Sequence, residues 1–306
     1  MILDDFAQGI GGTPLLRLRR FLPDSDATML AKLECLNPYS IKDRPVLFMV
    51  RDAEERGALE PGGRIVEATS GNTGMALAMI AAARGYRCTL VMSEIQSIER
   101  RQVLAALGAE LVLTPKDGGT KAARVEAKRI AEETGAFYLG QHDNDANPRA
   151  HEMTTGPELW NDTDGAIDAL VAGLGTGGTL VGCARAIKPK KPSFRTIGVE
   201  PEQSPFISQG VFRPHRMMGT APGFTPGVLE RELIDEIALV SEEDAFAACR
   251  EIARTEGVLV GISSGAVGVV LRRMATDPAW AGKTVVGIFC DTGQRYLSVD
   301  GLFSDG

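Results

Sequence analysis

A lysine at the start of a helix is chemically awkward, and the stretch "NPYSIKDRP" (37–45) puts Lys42 there. Ser40 and Asp43 form a capping-box-like start, and Pro45 is tolerated only in a first turn. The run "VLFMVRDAEERGAL" then supplies the helix. An ammonium at that end opposes the helix macrodipole, and burial would further favour the neutral, nucleophilic amine. A helix built only for stability carries an acid there and its lysine at the far end. Taken alone, Lys42 is equally well explained as a solvated surface charge.

Three glycine- or serine-rich turns offer complementary chemistry. "EATSGNTGMALA" (67–78) runs from a strand through Thr69, Ser70, Gly71, Asn72, Thr73 and Gly74 into an apolar helix. Backbone N–H groups and small polar side chains at such a turn can converge on an anion, although N-capping alone also accounts for it. "VAGLGTGGTLVG" (171–182) repeats the topology with Gly175, Thr176, Gly177, Gly178 and Thr179. Without Cβ atoms its backbone can wrap a phosphate, but it lacks both the dinucleotide G-x-G-x-x-G spacing and the P-loop G-K-[S/T]. "LVGISSGAVG" (259–268) adds Ser263 and Ser264, which a helix cap would also explain. Together, a nucleophilic amine, a phosphate cup, a carboxylate cup and a further hydroxyl describe pyridoxal 5′-phosphate with an amino-acid substrate.

Those turns need strands and helices to carry them, and the chain supplies both in alternation. "TMLAKLE" (28–34), "RIVEA" (64–68), "CTLVM" (88–92), "ELVLT" (110–114), "DALVAG" (168–173), "TIGVE" (196–200) and "TVVGIFC" (284–290) read as strands. Several are almost wholly apolar, as strands covered on both faces must be. Between them lie runs of helical period such as "GMALAMIAAARG" and "EEDAFAACREIARTEG", several ending on glycine. The alternation implies α/β architecture built from parallel βαβ units. "GQHDNDANPRAH" (140–151) is polar and turn-rich, a boundary between two lobes, and 201–228 is irregular and rich in Pro and Gly.

The composition narrows the class. A length of 306 residues, 44% hydrophobic and 24% charged, suits a folded soluble protein. The net charge of −7 leaves no basic footprint for nucleic acid or an anionic membrane. Five cysteines (35, 88, 183, 249, 290) are scattered without metal-ligand spacing, as are three histidines (142, 151, 215), so no metal site is expected. The cysteines read as reduced core fillers in a cytoplasmic protein. No secretory signal or membrane-spanning apolar run is visible.

The ordered motifs "GGTPLLRL", "NPYSIKDR", "EATSGNTG", "TTGPELW", "GLGTGGT", "GVEPEQSP", "GISSGA" and "DTGQRYLS" resemble the cysteine synthase and cystathionine β-synthase family of fold-type II pyridoxal-phosphate enzymes. The resemblance implies a two-lobed, tryptophan synthase β-like fold with the cofactor in the cleft. A smaller mobile lobe would span 36–147, and a larger one 1–35 plus 148–306. Lys42 would form the Schiff base to the cofactor and remove the substrate's α-proton. Asn72 would bond the ring hydroxyl, and Thr69, Ser70, Gly71, Thr73 and Gln141 would hold the substrate carboxylate. Gly175, Thr176, Gly177, Gly178 and Thr179 would cradle the phosphate, and Ser263 would face the pyridine nitrogen. A hydroxyl there cannot hold that nitrogen protonated, which weakens the electron sink and favours β-replacement through an aminoacrylate over transamination. The implied reaction joins O-acetyl-L-serine and sulfide to give L-cysteine and acetate. Thiosulfate, homocysteine or an amine as nucleophile, O-phosphoserine as donor, or a catalytically silent partner-binding paralogue are alternatives. A homodimer, and a complex with a serine acetyltransferase tail, would be in character. The chain departs from the family at Ser93 in "MSE", at Thr120, and at Pro222 in "GTAPGFTPG" (219–227), which puts donor and nucleophile in question.

Overall fold

The computed structural model describes residues 2–69, 71–94, 98–116 and 119–303. Its strands are β1 (Leu15–Arg17), β2 (Thr28–Leu33), β3 (Arg64–Ala68), β4 (Arg87–Ser93), β5 (Glu110–Thr114), β6 (Phe137–Tyr138), β7 (Ile167–Gly173), β8 (Arg195–Pro201), β9 (Glu236–Val240) and β10 (Thr284–Phe289). The helices are α1 (Asp43–Glu55), α2 (Asn72–Arg84), α3 (Ile98–Ala106), α4 (Gly119–Thr134), α5 (Ala146–Ala150), α6 (Gly156–Asp162), α7 (Gly178–Ile187), α8 (Phe206–Gln209), α9 (Glu242–Glu256) and α10 (Ile262–Ala275). A π-helical turn, His151–Thr155, joins α5 to α6. All seven strands expected from the sequence form. The short β1 and β6 carry too little apolar run to be read there, and the half-exposed β9 forms as a further strand.

The chain divides into two compact units, Met1–Ile10 with Asn37–Asn147, and Gly11–Leu36 with Pro148–Gly306. Residues 1–10, expected in the larger lobe, pack with the smaller unit instead. Ala7 enters its core, and Asp5 pairs with Arg84 of α2 at 3.6 Å. Leu36 conversely falls with the second unit.

Among the described residues the first unit holds a sheet of order β5-β4-β3-β6, with every pairing parallel. Both faces are covered, which is why its strands read as apolar runs. Val66, Ala68 and Val91 pack on Ala123, Ala127 and Ala131 of α4. Ile65, Leu90 and Met92 pack with α1 and α2. Helix α2 is apolar all round and ends on Gly85 at φ 75, a left-handed cap open to glycine.

The second unit holds a sheet of order β1-β2-β10-β7-β8-β9. Only β1 is antiparallel to its neighbour. Ala169, Val171, Ile197, Val199, Val285 and Phe289 form its core with α9 and α10. The free cysteines behave as small hydrophobes. Cys35, Cys88, Cys183 and Cys249 are buried, and burial pushes the Cys88 and Cys249 thiols up to about 12. No helix among the described residues is long and apolar enough to cross a membrane.

Close helix packing in the second unit leaves no room at Gly182 of α7. A Cβ there would stand 2.1 Å from the Pro148 carbonyl oxygen and 2.7 Å from His151 Cβ. Because the nearest obstacle is backbone, Gly182→Ala is expected to destabilise the protein by about 1–3 kcal/mol. Denaturant unfolding of the two proteins side by side measures this.

Candidate active site

In the first unit α1 begins at Asp43, and Lys42 is its cap residue. The Asp43 carboxylate accepts from the N–H groups of Tyr39 at 2.7 Å and Ser40 at 3.1 Å. The Ser40 hydroxyl accepts from the N–H of Lys42 at 3.2 Å. The expected Ser–Asp pairing is therefore real but uneven: the acid closes the turn and the serine fixes the backbone of Lys42. Lys42 itself is half-buried. Its charge reaches His142, an imidazole that burial lowers to about 4, with Arg124 and Lys42 acting in the same direction and Asp143 against them. The amine and the loop after β6 are thus electrostatic neighbours, and the imidazole stays neutral at physiological pH.

That loop also carries Gln141. Its side-chain oxygen accepts from the Thr73 hydroxyl at 2.7 Å, and its amide nitrogen donates to Glu67 at 3.3 Å. Its backbone oxygen accepts from Asn147 at 2.7 Å. Thr73 lies in the first turn of α2 beside Asn72, with Gly71 at the cap. Thr69 extends the β3 ladder through its N–H to the Val91 oxygen at 3.0 Å, and its hydroxyl accepts from Gly71 N–H at 3.4 Å. Thr69, Gly71, Asn72, Thr73 and Gln141 therefore gather beyond the carboxyl ends of β3 and β6, where open parallel sheets bind ligands. Ser70, expected in the same group, lies outside the described residues.

In the second unit β7 hands over to α7 through residues 174–177. Gly177 has φ 81, and a Cβ there would meet Leu229 Cδ1 at 2.4 Å. A Cβ at Gly175 would stand 2.4 Å from the Gly219 carbonyl oxygen. The 219–221 segment is fastened to this turn by Ala221 N–H donating to the Leu174 oxygen at 2.8 Å. The Thr176 hydroxyl accepts from Gly178 N–H at 3.2 Å. Thr179 Oγ1 lies 3.3 Å from Nε2 of buried His151, whose Nδ1 is 2.9 Å from Thr155 Oγ1. Ser263 sits in the first turn of α10, nine-tenths buried. A Cβ at Gly173 would lie 3.0 Å from Thr220 Cγ2 and 3.8 Å from Ser263 Cβ, so all these segments meet at the end of β7. The neighbouring Ser264 is structural, its hydroxyl accepting from Cys290 N–H at 2.9 Å.

Three residues escaped the sequence reading. Glu67, His142 and His151 all touch a residue of the expected site or act on one. The signal available for Glu67 was a carboxylate inside the otherwise apolar strand "RIVEA". The two histidines stand alone in polar segments, and only the folded chain shows what they face.

The donor set fits the cofactor that the resemblance implies. Helices α2, α7 and α10 have no acidic residue in their first turns. Helix α9, by contrast, carries Glu242, Glu243 and Asp244 there and a Ser241 cap. The positive ends of the first three dipoles are therefore not met by acids of their own helices, which leaves them suited to an anion. On α7 this is joined by the Thr176 and Thr179 hydroxyls over a glycine backbone, a set suited to phosphate. On α2 it is joined by Thr69, Asn72 and Gln141, a set suited to a carboxylate.

Comparison with known proteins agrees with this chemistry. The family of pyridoxal-phosphate dependent enzymes matches residues 6–291. A cysteine synthase of Staphylococcus aureus is 46% identical over 298 residues, 97% of this chain and 96% of the relative. A cysteine synthase A of Salmonella typhi is 45% identical over 315 residues, covering 99% of this chain and 96% of its own. Among solved structures, an O-ureido-L-serine synthase superposes with a TM-score of 0.96 at 40% identity, covering 100% of this chain and 98% of its own. A cysteine synthase from Entamoeba histolytica superposes with a TM-score of 0.94 at 38% identity, covering 98% of this chain and 90% of its own. With that match spanning nearly its whole length, the chain belongs to the pyridoxal-phosphate dependent enzymes.

Proposed function

We propose that the protein catalyses β-replacement on O-acetyl-L-serine with sulfide, releasing L-cysteine and acetate. The observation that carries this reading is the first unit's own geometry. An amine on the cap of α1 acts on the loop whose Gln141 is bonded to the first turn of α2, so a base and a carboxylate pocket share one scaffold. Relatives that are cysteine synthases at 45–46% identity support the choice of reaction.

When bound, pyridoxal 5′-phosphate supplies a carbonyl carbon for the substrate's amine and a conjugated ring that takes up the electron pair at Cα. Lys42 anchors it and then carries the α-proton. Thr69, Ser70, Gly71, Thr73 and Gln141 hold the substrate carboxylate and fix which Cα–H faces Lys42. Asn72 bonds the ring oxygen. Gly175, Thr176, Gly177, Gly178 and Thr179 hold the phosphate, with His151 orienting the Thr179 hydroxyl. Ser263 would face the ring nitrogen with a neutral hydroxyl, which could not hold that nitrogen protonated. A homodimer, and docking of a serine acetyltransferase tail, belong to the same proposal.

The likeness to an O-ureido-L-serine synthase over the whole chain favours one second reading, in which the attacking atom is an oxygen or nitrogen of a urea-type nucleophile. The 219–227 segment, interrupted by Pro222 and fixed to the 174–175 turn, is the part of the second unit where such a difference would act.

Lys42→Ala is expected to lower turnover by about 10²–10⁴-fold, the worth of a positioned proton-transfer group. Borohydride reduction of the wild-type holoenzyme should leave a pyridoxyl group on the Lys42 peptide, and its appearance on another lysine would overturn the assignment. Gln141→Ala should raise KM for O-acetyl-L-serine by about 10–100-fold, the worth of one charge-assisted hydrogen bond. A panel of sulfide, thiosulfate, homocysteine and hydroxyurea against O-acetyl-L-serine separates the two readings. Sulfide is expected to give the highest kcat/KM, and preference for hydroxyurea would transfer the assignment to the second reading.

A further inference from the structure

The strand β3 buries one carboxylate, Glu67, which is 1% exposed. Its Oε2 accepts from Gly140 N–H at 2.7 Å, and its Oε1 accepts from the Gln141 amide at 3.3 Å. Gln141 in turn accepts from the Thr73 hydroxyl at 2.7 Å. The result is a directed chain, Thr73 to Gln141 to Glu67, ending on a buried anion. Its direction has a consequence for the pocket above it. The single proton of the Thr73 hydroxyl is spent on Gln141, so Thr73 offers only lone pairs to anything else.

We propose that Glu67 is a positioning residue for the carboxylate pocket: through Gln141, its carboxyl sets whether the Thr73 hydroxyl gives its proton to Gln141 or to the bound carboxylate. The proposal rests on Thr73 and Gln141 holding that carboxylate, as read above. With Glu67 ionised, the chain runs as observed. A protonated Glu67 keeps accepting from Gly140 through Oε2 and donates through Oε1. Gln141 must then present its oxygen to Glu67 and its nitrogen to Thr73. Thr73 becomes an acceptor within the chain, and its own proton turns outward. One proton added at Glu67 thus converts Thr73 from acceptor to donor and removes a buried negative charge near a second anion.

The surroundings allow that proton. Burial pushes the Glu67 carboxyl up from 4.5 to about 7, opposed by its bonds to Gly140 and Gln141 and by the charge of Arg124. The group is therefore protonated below about pH 7 and ionised above it. Arg124, on α4, is shared with Asp143 at 2.9 Å. The Tyr138 phenol on β6 is pushed up to about 12, by burial first and then by Glu67, and Lys128 of α4 lies over its ring. In the same unit, Asp43 and Arg44 are buried at the start of α1, with Lys42 before them, and His142 follows Gln141.

The test compares the holoenzyme with Glu67→Gln. That amide accepts from Gly140 and donates to Gln141, as the protonated acid would, at every pH. Binding of L-serine is followed through the visible band of the bound cofactor, and the Kd of wild type is divided by that of E67Q. Ionisation of the ligand's own amine cancels in the ratio. The ratio is expected to stay near one at about pH 6 and to rise about tenfold by about pH 8.5 as Glu67 ionises. A ratio independent of pH overturns the proposal. If E67Q loses the cofactor band, Gln141→Phe replaces it: its binding must lack the pH-dependent change relative to wild type's, and retention of that change overturns the proposal. Because L-serine binding needs no nucleophile, a failure to make cysteine leaves this result readable and falls on the functional reading instead.

Discussion

Every helix leaves its first N–H groups without a carbonyl partner, and the way each helix meets that deficit organises this protein. Helix α9 spends the deficit on itself, through the Ser241 cap and three acids in its first turn. Helices α2, α7 and α10 do not, and each follows an apolar strand or turn rich in glycine, serine or threonine. A helix of the first kind meets part of that deficit from its own residues. One of the second kind leaves the positive end of its dipole unmatched by acids of its own, which suits it to receive an anion.

Buried polar groups show the same division. Lys32 is fully buried, yet it is held by the Thr13 carbonyl oxygen, by Glu158 at 2.8 Å and by Asp162 at 3.2 Å, all within the second unit. It is a closed set of partners that ties the N-terminal strand region to α6. Lys42 differs, since its backbone is fixed by Ser40 while its side chain lies half-buried beside His142. Placement rather than residue type separates the structural Lys32 from Lys42, for which the reactive role is proposed. Glu67 lies between these cases: it is bonded on both oxygens, yet held where its charge is costly.

The glycines of 173–177 are demanded by close approach of backbone and side chains. Gly175 faces the Gly219 carbonyl, Gly173 faces Thr220, and Gly177 combines a positive φ with contact to Leu229. A segment distant in sequence, 217–229, is therefore cast onto the turn between β7 and α7. Ala221 there holds φ 43, a conformation non-glycine residues rarely adopt.

The sequence by itself determined the architecture and named the turns from which the proposed site is built. Apolar runs such as "CTLVM" and "DALVAG" mark strands covered on both faces, and glycine-rich turns such as the one after "DALVAG" are suited to anions, because both depend on short-range sterics and local hydrogen bonding. Lys42 was legible as an oddly placed charge for the same reason. Tertiary structure alone decided the rest. Residues 1–10 joined the first unit because Ala7 and Asp5 found partners on α2 and its core, at separations no local pattern encodes. Glu67 and Gln141 stand 74 positions apart, as Thr73 and Gln141 stand 68 apart. Burial, which sets the proton affinity of Glu67 and His142, exists only once strands and helices have closed around them.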